Sequence, residues 1–106
     1  MNIVDQTDAF SDVYRTCTKK ETRWIEHVKD QLQENLKVGK PLRYSWLREK
    51  KLDNKRLYYI IHEEKSKAIL IAFGTKKNQQ DIIGEIIRYK KEYMALFNEP
   101  GEHDLP

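Results

Sequence analysis

The sequence predicts an α+β fold in which an N-terminal helical hairpin packs on a small antiparallel β-meander, followed by a C-terminal helix. Two apolar runs, at 57–61 and 68–73, are rich in Ile, Tyr and Phe and predict neighbouring strands. Each run follows a short polar break, and short breaks join antiparallel strands. Apolar residues at helical spacing before and after these runs predict the helices.

The length of 106 residues suits one small domain with its own core. We place that domain at 1–97. The remaining segment, 98–106, holds three acidic residues and no lysine or arginine. Short polar segments of this kind are often poorly ordered, so we expect an acidic, disordered tail there.

The N-terminal third is predicted to contain a short edge strand at 2–5 and two helices, at 8–17 and 19–36. Each helix has a single apolar stripe. The sequence Thr18-Lys19-Lys20-Glu21 has the pattern of a capping box, which marks the start of the second helix. Gly39 is expected to end this helix by adopting a left-handed conformation.

Three strands are predicted for the meander, at 43–51, 55–63 and 67–74. The first has no clean apolar face, which indicates an exposed position or a bulge. The third is apolar on both sides, so we expect it to be a central strand, covered on one face by helices. A turn at 74–78 then leads into a last helix whose apolar stripe extends to Phe97.

Several classes of site lack their sequence signals. The single cysteine, Cys17, excludes an internal disulfide and fits a reducing, cytoplasmic compartment. The three histidines lack metal-ligand spacing, and the four glycines form no phosphate-binding loop. The chain shows no secretory signal and no apolar run of membrane-spanning length. We therefore expect no metal, no small-molecule cofactor and no membrane contact.

Basic residues are concentrated in one part of the chain. The formal net charge is +3, yet the block 37–56 has eight lysines and arginines against two acidic residues. A hairpin at Asp53-Asn54 would bring Lys50 near Arg56 across the strand pair, and the turn after the third strand would return Lys76 and Lys77 to the same end of the sheet. Cations and aromatic side chains gathered in this way bind phosphates and stack on unpaired bases. A solvated basic face is the alternative, and charge alone favours it.

The stretch at 40–61 reads KPLRYSWLREKKLDNKRLYYII, a basic strand, a tight turn and a strand that opens with Arg-Leu-Tyr. The stretch at 71–83 reads IAFGTKKNQQDII and is similar to a Gly-Asp-Lys-Lys-x-Gln-Gln-x-x-Ile pattern, with Thr75 in place of the acid. Together with the predicted element order, these stretches resemble the RelE/HigB/ParE superfamily of toxins from type II toxin–antitoxin systems. The likeness is to archaeal and HigB-like RelE members.

The resemblance implies an mRNA interferase, a metal-independent endoribonuclease that cuts mRNA on the ribosome, inhibits translation and is neutralised by an antitoxin protein. Such cleavage needs a base for the 2′-hydroxyl, cations around the phosphate and an acid for the leaving 5′-oxygen. Carried over by position, with a register uncertainty of one residue on the first strand, the catalytic residues are Arg48, Lys50, Arg56 and Lys76. The expected RNA-binding residues are Arg43, Lys51, Lys55, Lys77, Trp46 and Tyr58.

The sequence departs from the family pattern where RelE carries a catalytic tyrosine, because Gln79, Gln80 and Asp81 stand there instead. The resemblance therefore does not supply a general acid. One alternative is a non-catalytic module of the same RelE/ParE fold that binds an acidic partner or gyrase. Another is an unrelated basic RNA-binding domain.

Overall fold

A computed structural model describes residues 1–98; the predicted tail beyond Asn98 lies outside the described residues. Within 1–98 the chain forms five strands and four helices, with two short 3₁₀ turns near the C-terminus. The strands are β1 (Ile3–Gln6), β2 (Lys40–Leu42), β3 (Tyr44–Leu52), β4 (Lys55–His62) and β5 (Lys67–Thr75). The helices are α1 (Asp8–Arg15), α2 (Lys19–Glu34), α3 (Gln79–Arg88) and α4 (Lys90–Ala95), with 3₁₀ turns at Lys76–Asn78 and Leu96–Asn98.

The predicted meander is confirmed as the three antiparallel strands β3, β4 and β5. It belongs to a larger mixed sheet with strand order β1-β5-β4-β3-β2. β1 is an edge strand, as predicted, and pairs parallel to β5. β2 was missed, because three residues that include Pro41 carry too little periodicity to predict a strand.

β5 is an internal strand between β1 and β4, as predicted, and β4 lies in the middle of the sheet. The expectation that helices cover only one face of β5 was wrong. Side chains of α1 and α2, among them Phe10 and Ile25, bury one face of the sheet together with Leu70. Side chains of α3 and the C-terminal 3₁₀ turn, among them Ile83, bury the opposite face together with Ile69. β5 is apolar on both faces because helices cover both.

α1 and α2 begin at the predicted residues, Asp8 and Lys19. Thr7 accepts a hydrogen bond from the Phe10 N–H at the start of α1, and Thr18 and Glu21 form the predicted capping box at the start of α2. The long last helix was predicted as one piece, but it is broken at Tyr89 into α3 and α4. Tyr89 has φ −103° and ψ 25°, outside the helical region, and it ends one helix and starts the next.

Gly39 is needed for space rather than for a left-handed backbone, so its predicted role as a left-handed cap was wrong. No glycine in the described part of the chain has a positive φ. A Cβ atom at Gly39 would lie 2.6 Å from the Glu49 carbonyl oxygen and 2.7 Å from the Tyr59 hydroxyl. Only a residue without a side chain lets the segment before β2 approach β3 this closely.

Replacing Gly39 by Ala is expected to lower the free energy of unfolding by about 2 kcal/mol or more, because a backbone atom would have to move to relieve the overlap. Urea denaturation of the two proteins measures the difference. Gly84→Ala is the matched control, since a Cβ there meets nothing within 4 Å. In the middle of α3, alanine should instead stabilise by up to about 1 kcal/mol. Equal effects of the two substitutions would contradict the packing argument.

Candidate functional site

One end of the sheet gathers cations from two distant parts of the chain, as the sequence predicted. Lys55, at the start of β4, pairs with Thr75, at the end of β5. The Lys76 N–H donates to the Asn54 carbonyl in the β3–β4 turn at 3.1 Å. Lys51, Lys76 and Lys77 are exposed there. We call these three residues the lysine end of the sheet.

Arg56 lies beside the lysine end, but its side chain is buried and forms an ion pair with an acidic residue. It pairs with Lys51 across the strands and its side chain is 8% exposed. Its Nε lies 3.6 Å from Oε2 of Glu49, whose side chain is 3% exposed. Gln79, the first residue of α3, donates to the same Glu49 oxygen at 2.9 Å. The buried ion pair therefore joins β3 to β4, and the hydrogen bond from Gln79 joins it to the start of α3.

Tyr58 extends this buried cluster. Its ring is fully buried, and its hydroxyl lies close to the Gln79 side chain without a hydrogen bond of acceptable geometry. Burial raises the pKa of Tyr58 to about 12; the Glu49 carboxylate adds to the rise and Arg56 opposes it. The hydroxyl is therefore protonated at neutral pH. Because the ring is buried, it offers no surface on which a base could stack in this conformation.

Arg48, predicted to be catalytic, is tied into the backbone around β2. Its Nε and Nη2 donate to the Gly39 carbonyl at 3.1 and 2.9 Å, and Nη1 donates to the Ser45 carbonyl at 3.1 Å. The residue is 7% exposed. Next to it, the Tyr59 hydroxyl accepts from the Gly39 N–H and donates to the Leu36 carbonyl. This placement is that of a structural residue, which closes the connection between α2 and β2.

The strand register is shifted by one residue from the predicted one. Lys51 pairs with Arg56, whereas Lys50 pairs with Leu57. Alternate side chains point to opposite faces, so Lys50 lies on the α2 face and not beside Arg56. The shift equals the register uncertainty of the carry-over, and it puts Glu49 and Lys51 where Arg48 and Lys50 were expected.

Lys55 is half-buried and engaged with α2. Its Nζ lies 2.7 Å from Oε2 of Glu21 and 5.3 Å from the centroid of the Phe73 ring. The hydrogen bond from Lys55, together with one from the Thr18 backbone N–H, holds the pKa of Glu21 below its usual value. The positive charge of Lys55 is therefore less available at the surface than the charge of each lysine in the lysine end.

Two of the predicted RNA-binding residues, Arg43 and Trp46, lie far from the lysine end. Arg43 and Trp46 are at the start of β3, and Arg43 has a positive φ of 58° in the tight turn after β2. At about 3.3 Å per residue, Arg43 is roughly 26 Å along the strand from Lys51. Trp46 stacks on Tyr44 at 5.4 Å, and the Lys90 ammonium lies 5.1 Å from its ring centroid. The ten predicted residues therefore do not form one site.

Glu49 and Gln79 were missed as parts of the cluster. In the sequence, Glu49 is one residue of a mixed strand face, and Gln79 stands where the family carries a tyrosine. A strand register with Lys51 opposite Arg56 places Glu49 opposite Tyr58 on the same face, which is the signal that would have found it.

Residues 1–98 contain no group of three or more potential metal ligands. In that same part of the chain, none of the helices combines the length and the apolar character required to cross a membrane.

No protein-family model and no curated protein matches the chain. Solved structures of the RelE toxin from E. coli do resemble it. The free form of a variant with two arginines replaced by alanine has a TM-score of 0.70 and 15% identity, over 82% of this chain and 95% of that chain. The isolated RelE toxin has a TM-score of 0.63 and 15% identity, over 81% and 99% of the two chains. The intact E. coli RelBE toxin–antitoxin complex gives a TM-score of 0.63 and 16% identity, over 71% and 96%. The likeness covers almost the whole of each RelE chain, and the protein has the fold of the RelE toxin.

Proposed function

We propose that this protein is a RelE-like toxin that acts in the cytoplasm, cuts mRNA on the ribosome and is neutralised by an antitoxin protein. The observation that carries the proposal is the lysine end of a RelE-fold sheet. There Lys51, Lys76 and Lys77 are exposed at the same end of the sheet, although they come from two segments of the chain. E. coli RelE has been solved in complex with its antitoxin RelB, which supports an antitoxin as the partner.

The lysine end supplies the charge that RNA cleavage requires. The phosphate at the cut gains negative charge when the 2′-hydroxyl attacks, and fixed ammonium groups stabilise that charge. In the proposal Lys51 and Lys76 hold this phosphate, and Lys77 contacts the neighbouring RNA backbone. Lys50 and Lys55, on the α2 face, add to the positive field around the strand.

Arg56 has a positioning role in this proposal. Its ion pair with Glu49 of β3 and the hydrogen bond from Gln79 to Glu49 hold the start of β4 near the start of α3. The lysine end spans these same elements, since Lys51 is opposite Arg56 and Lys76 is in the turn before Gln79. The buried pair therefore fixes the spacing of the two lysines. Arg48 has the corresponding structural role around β2.

One observation favours a second candidate function, a non-catalytic interaction module of the RelE/ParE fold that binds an acidic partner or gyrase. The Arg48 guanidinium donates hydrogen bonds to the Gly39 carbonyl, and Arg56 forms an ion pair with Glu49. Two of the four cations expected to be catalytic are thus buried and engaged with groups inside the protein. Such a module would bind its partner through the lysine end without producing RNA fragments.

The experiment that separates the two functions uses purified protein, free of antitoxin, in a reconstituted translation reaction. The toxin proposal predicts arrested translation and cleavage of the message while it is bound to ribosomes. The module predicts intact message, with partner binding that is lost when Lys51 and Lys76 are replaced. Unchanged translation together with intact message would contradict the toxin proposal.

A further inference from the structure

Two aromatic rings stack at the start of β3, far from the lysine end. Tyr44 is 47% exposed, whereas Trp46 is partly buried. Their ring centroids are 5.4 Å apart and the ring planes differ by only 16°. We call Tyr44, Trp46 and the preceding residue, Arg43, the aromatic end. The stack holds both rings in place before any ligand binds.

The stack is covered at Trp46 and open at Tyr44. The Lys90 ammonium lies over the Trp46 ring, 5.1 Å from its centroid, and Tyr44 stacks on the same ring. Among residues 1–98, Trp46 is the only aromatic side chain in ring contact with Tyr44. The face of Tyr44 that is turned away from Trp46 is therefore available for a planar group of a ligand.

The charge beside this open face is positive. Arg43 is exposed, and its positive φ of 58° fixes its backbone in the tight turn before Tyr44. Neither Arg43 nor Lys90 forms an ion pair with another described residue. A guanidinium binds phosphate oxygens well, and an aromatic face stacks on a base. The aromatic end thus offers both contacts that a nucleotide makes.

The acidic residues nearby lie on the other side of Trp46. A cleft of about 590 Å³ adjoins Trp46 there, and Glu63 and Glu64 line it. Arg43 and Tyr44 do not line this cleft. The carboxylates repel a phosphate from the cleft, so the favourable position for a phosphate is beside Arg43.

The aromatic end and the lysine end lie on the same side of the sheet. Trp46 packs against the core that α3 and α4 cover. Lys51 is two positions from Glu49, which Gln79 of α3 contacts, so Lys51 points to that side as well. Tyr44 is seven residues from Lys51 on β3, roughly 23 Å at about 3.3 Å per residue. About seven stacked nucleotides span that distance at 3.4 Å each, and fewer do when the strand is extended.

We propose that the aromatic end binds an unpaired base of the message strand whose phosphate is held at the lysine end, with the base on Tyr44 and its phosphate at Arg43. The inference rests on the proposed function for the identity of the strand, but the aromatic end takes no part in cleavage. Every base has a face that can stack, so such a site is tolerant of sequence. It selects RNA that is single-stranded over the distance between the two ends.

Two decamers of 2′-O-methyl RNA, which lacks the hydroxyl needed for cleavage, test the site on the full chain. One is oligoadenylate, and the other has the same length and charge but no bases. With oligoadenylate, NMR of the ¹⁵N-labelled protein is expected to show shifts of the Arg43 and Tyr44 amide signals and of the Trp46 indole N–H. The decamer without bases should bind at least about fivefold more weakly, because it contacts the cations but cannot stack.

Three variants separate stacking from charge. Tyr44→Ala should weaken oligoadenylate binding at least about fivefold, whereas Tyr44→Phe keeps the ring and should bind as the wild type does. Tyr89→Ala is the matched control, because Tyr89 is 41% exposed but lines a separate cleft with Asp81 and Glu85. It should leave binding unchanged. Absence of binding at millimolar RNA, equal binding of the decamer without bases, or wild-type binding by Tyr44→Ala would overturn the proposal.

A photoreactive phenylalanine analogue at position 44 identifies the strand during translation. The proposal predicts a crosslink to the message within about seven nucleotides of the phosphate at the lysine end. Crosslinks to ribosomal RNA alone would overturn the assignment to the message. Oligoadenylate binding that depends on Tyr44 supports the stacking site even if the message stays intact, so failure of the proposed function is distinguishable from failure of this inference.

Discussion

If the proposed function holds, replacing Lys51 and Lys76 together by Ala is expected to reduce cleavage of ribosome-bound mRNA by at least about a hundredfold, because the proposed site loses two fixed charges that would stabilise the reacting phosphate. Both side chains are exposed and neither forms an ion pair with another described residue, so the fold should be unaffected. The rate is measured in a reconstituted translation reaction, and circular dichroism checks that the variant is folded.

Two further variants sharpen this prediction. A double variant of Arg15 and Lys91 to Ala removes two exposed cations from α1 and α4, away from the lysine end, and should retain the wild-type rate. Replacing Lys51 and Lys76 by Arg separates the possible roles of the two amines. Arginine keeps the charge but does not lose its proton, so activity persists if the lysines bind phosphate and is lost if either acts as a base. Full activity of the double alanine variant would contradict the proposed site.

The second large effect is expected from the buried pair. Replacing Glu49 by Ala leaves the Arg56 guanidinium buried without its acid, and it also removes the acceptor for Gln79. The free energy of unfolding should fall by about 3–5 kcal/mol. A double variant with Glu49→Leu and Arg56→Met should recover much of this loss, because no charge then remains buried. Urea denaturation of the single and double variants measures the coupling between the two residues.

The surface pair of Lys29 and Glu26, 3.4 Å apart with side chains 27% and 53% exposed, is the control for this cycle. Replacing Glu26 by Ala should cost less than about 1 kcal/mol, because solvent screens the pair. The ion pair between Glu49 and Arg56 would be contradicted if Glu49→Ala lowered the free energy of unfolding no more than Glu26→Ala does. It would also be contradicted if the effects of the two replacements in the buried pair were simply additive.

Local patterns predicted most of the secondary structure. The runs at 57–61 and 68–73 lie in β4 and β5, and the capping box at Thr18 and Glu21 starts α2. These signals succeed because they depend on a few neighbouring residues. β2 has no such signal: its three residues are held by pairing with β3, at a position where Gly39 allows the close approach.

The candidate site was predicted in part. The return of Lys76 to the β3–β4 turn follows from strand order alone, and the structure confirms it. The side-chain facing of β3 does not follow from strand order, because a shift of one residue exchanges the two faces of a strand. That shift put Lys51 beside Arg56 in place of Lys50. Arg48 is tied to the backbone because it donates hydrogen bonds to the Gly39 carbonyl. Gly39 lies beside β2, a strand that the sequence did not predict.

The claim that this RelE-fold protein cuts RNA is tested most directly by mapping the ends of a message during translation with the purified protein. The proposal predicts new ends within the translated part of ribosome-bound message, and none in the same message without ribosomes. They should be absent with the double alanine variant at Lys51 and Lys76. A message that keeps its original ends while translation continues at the normal rate would contradict the claim.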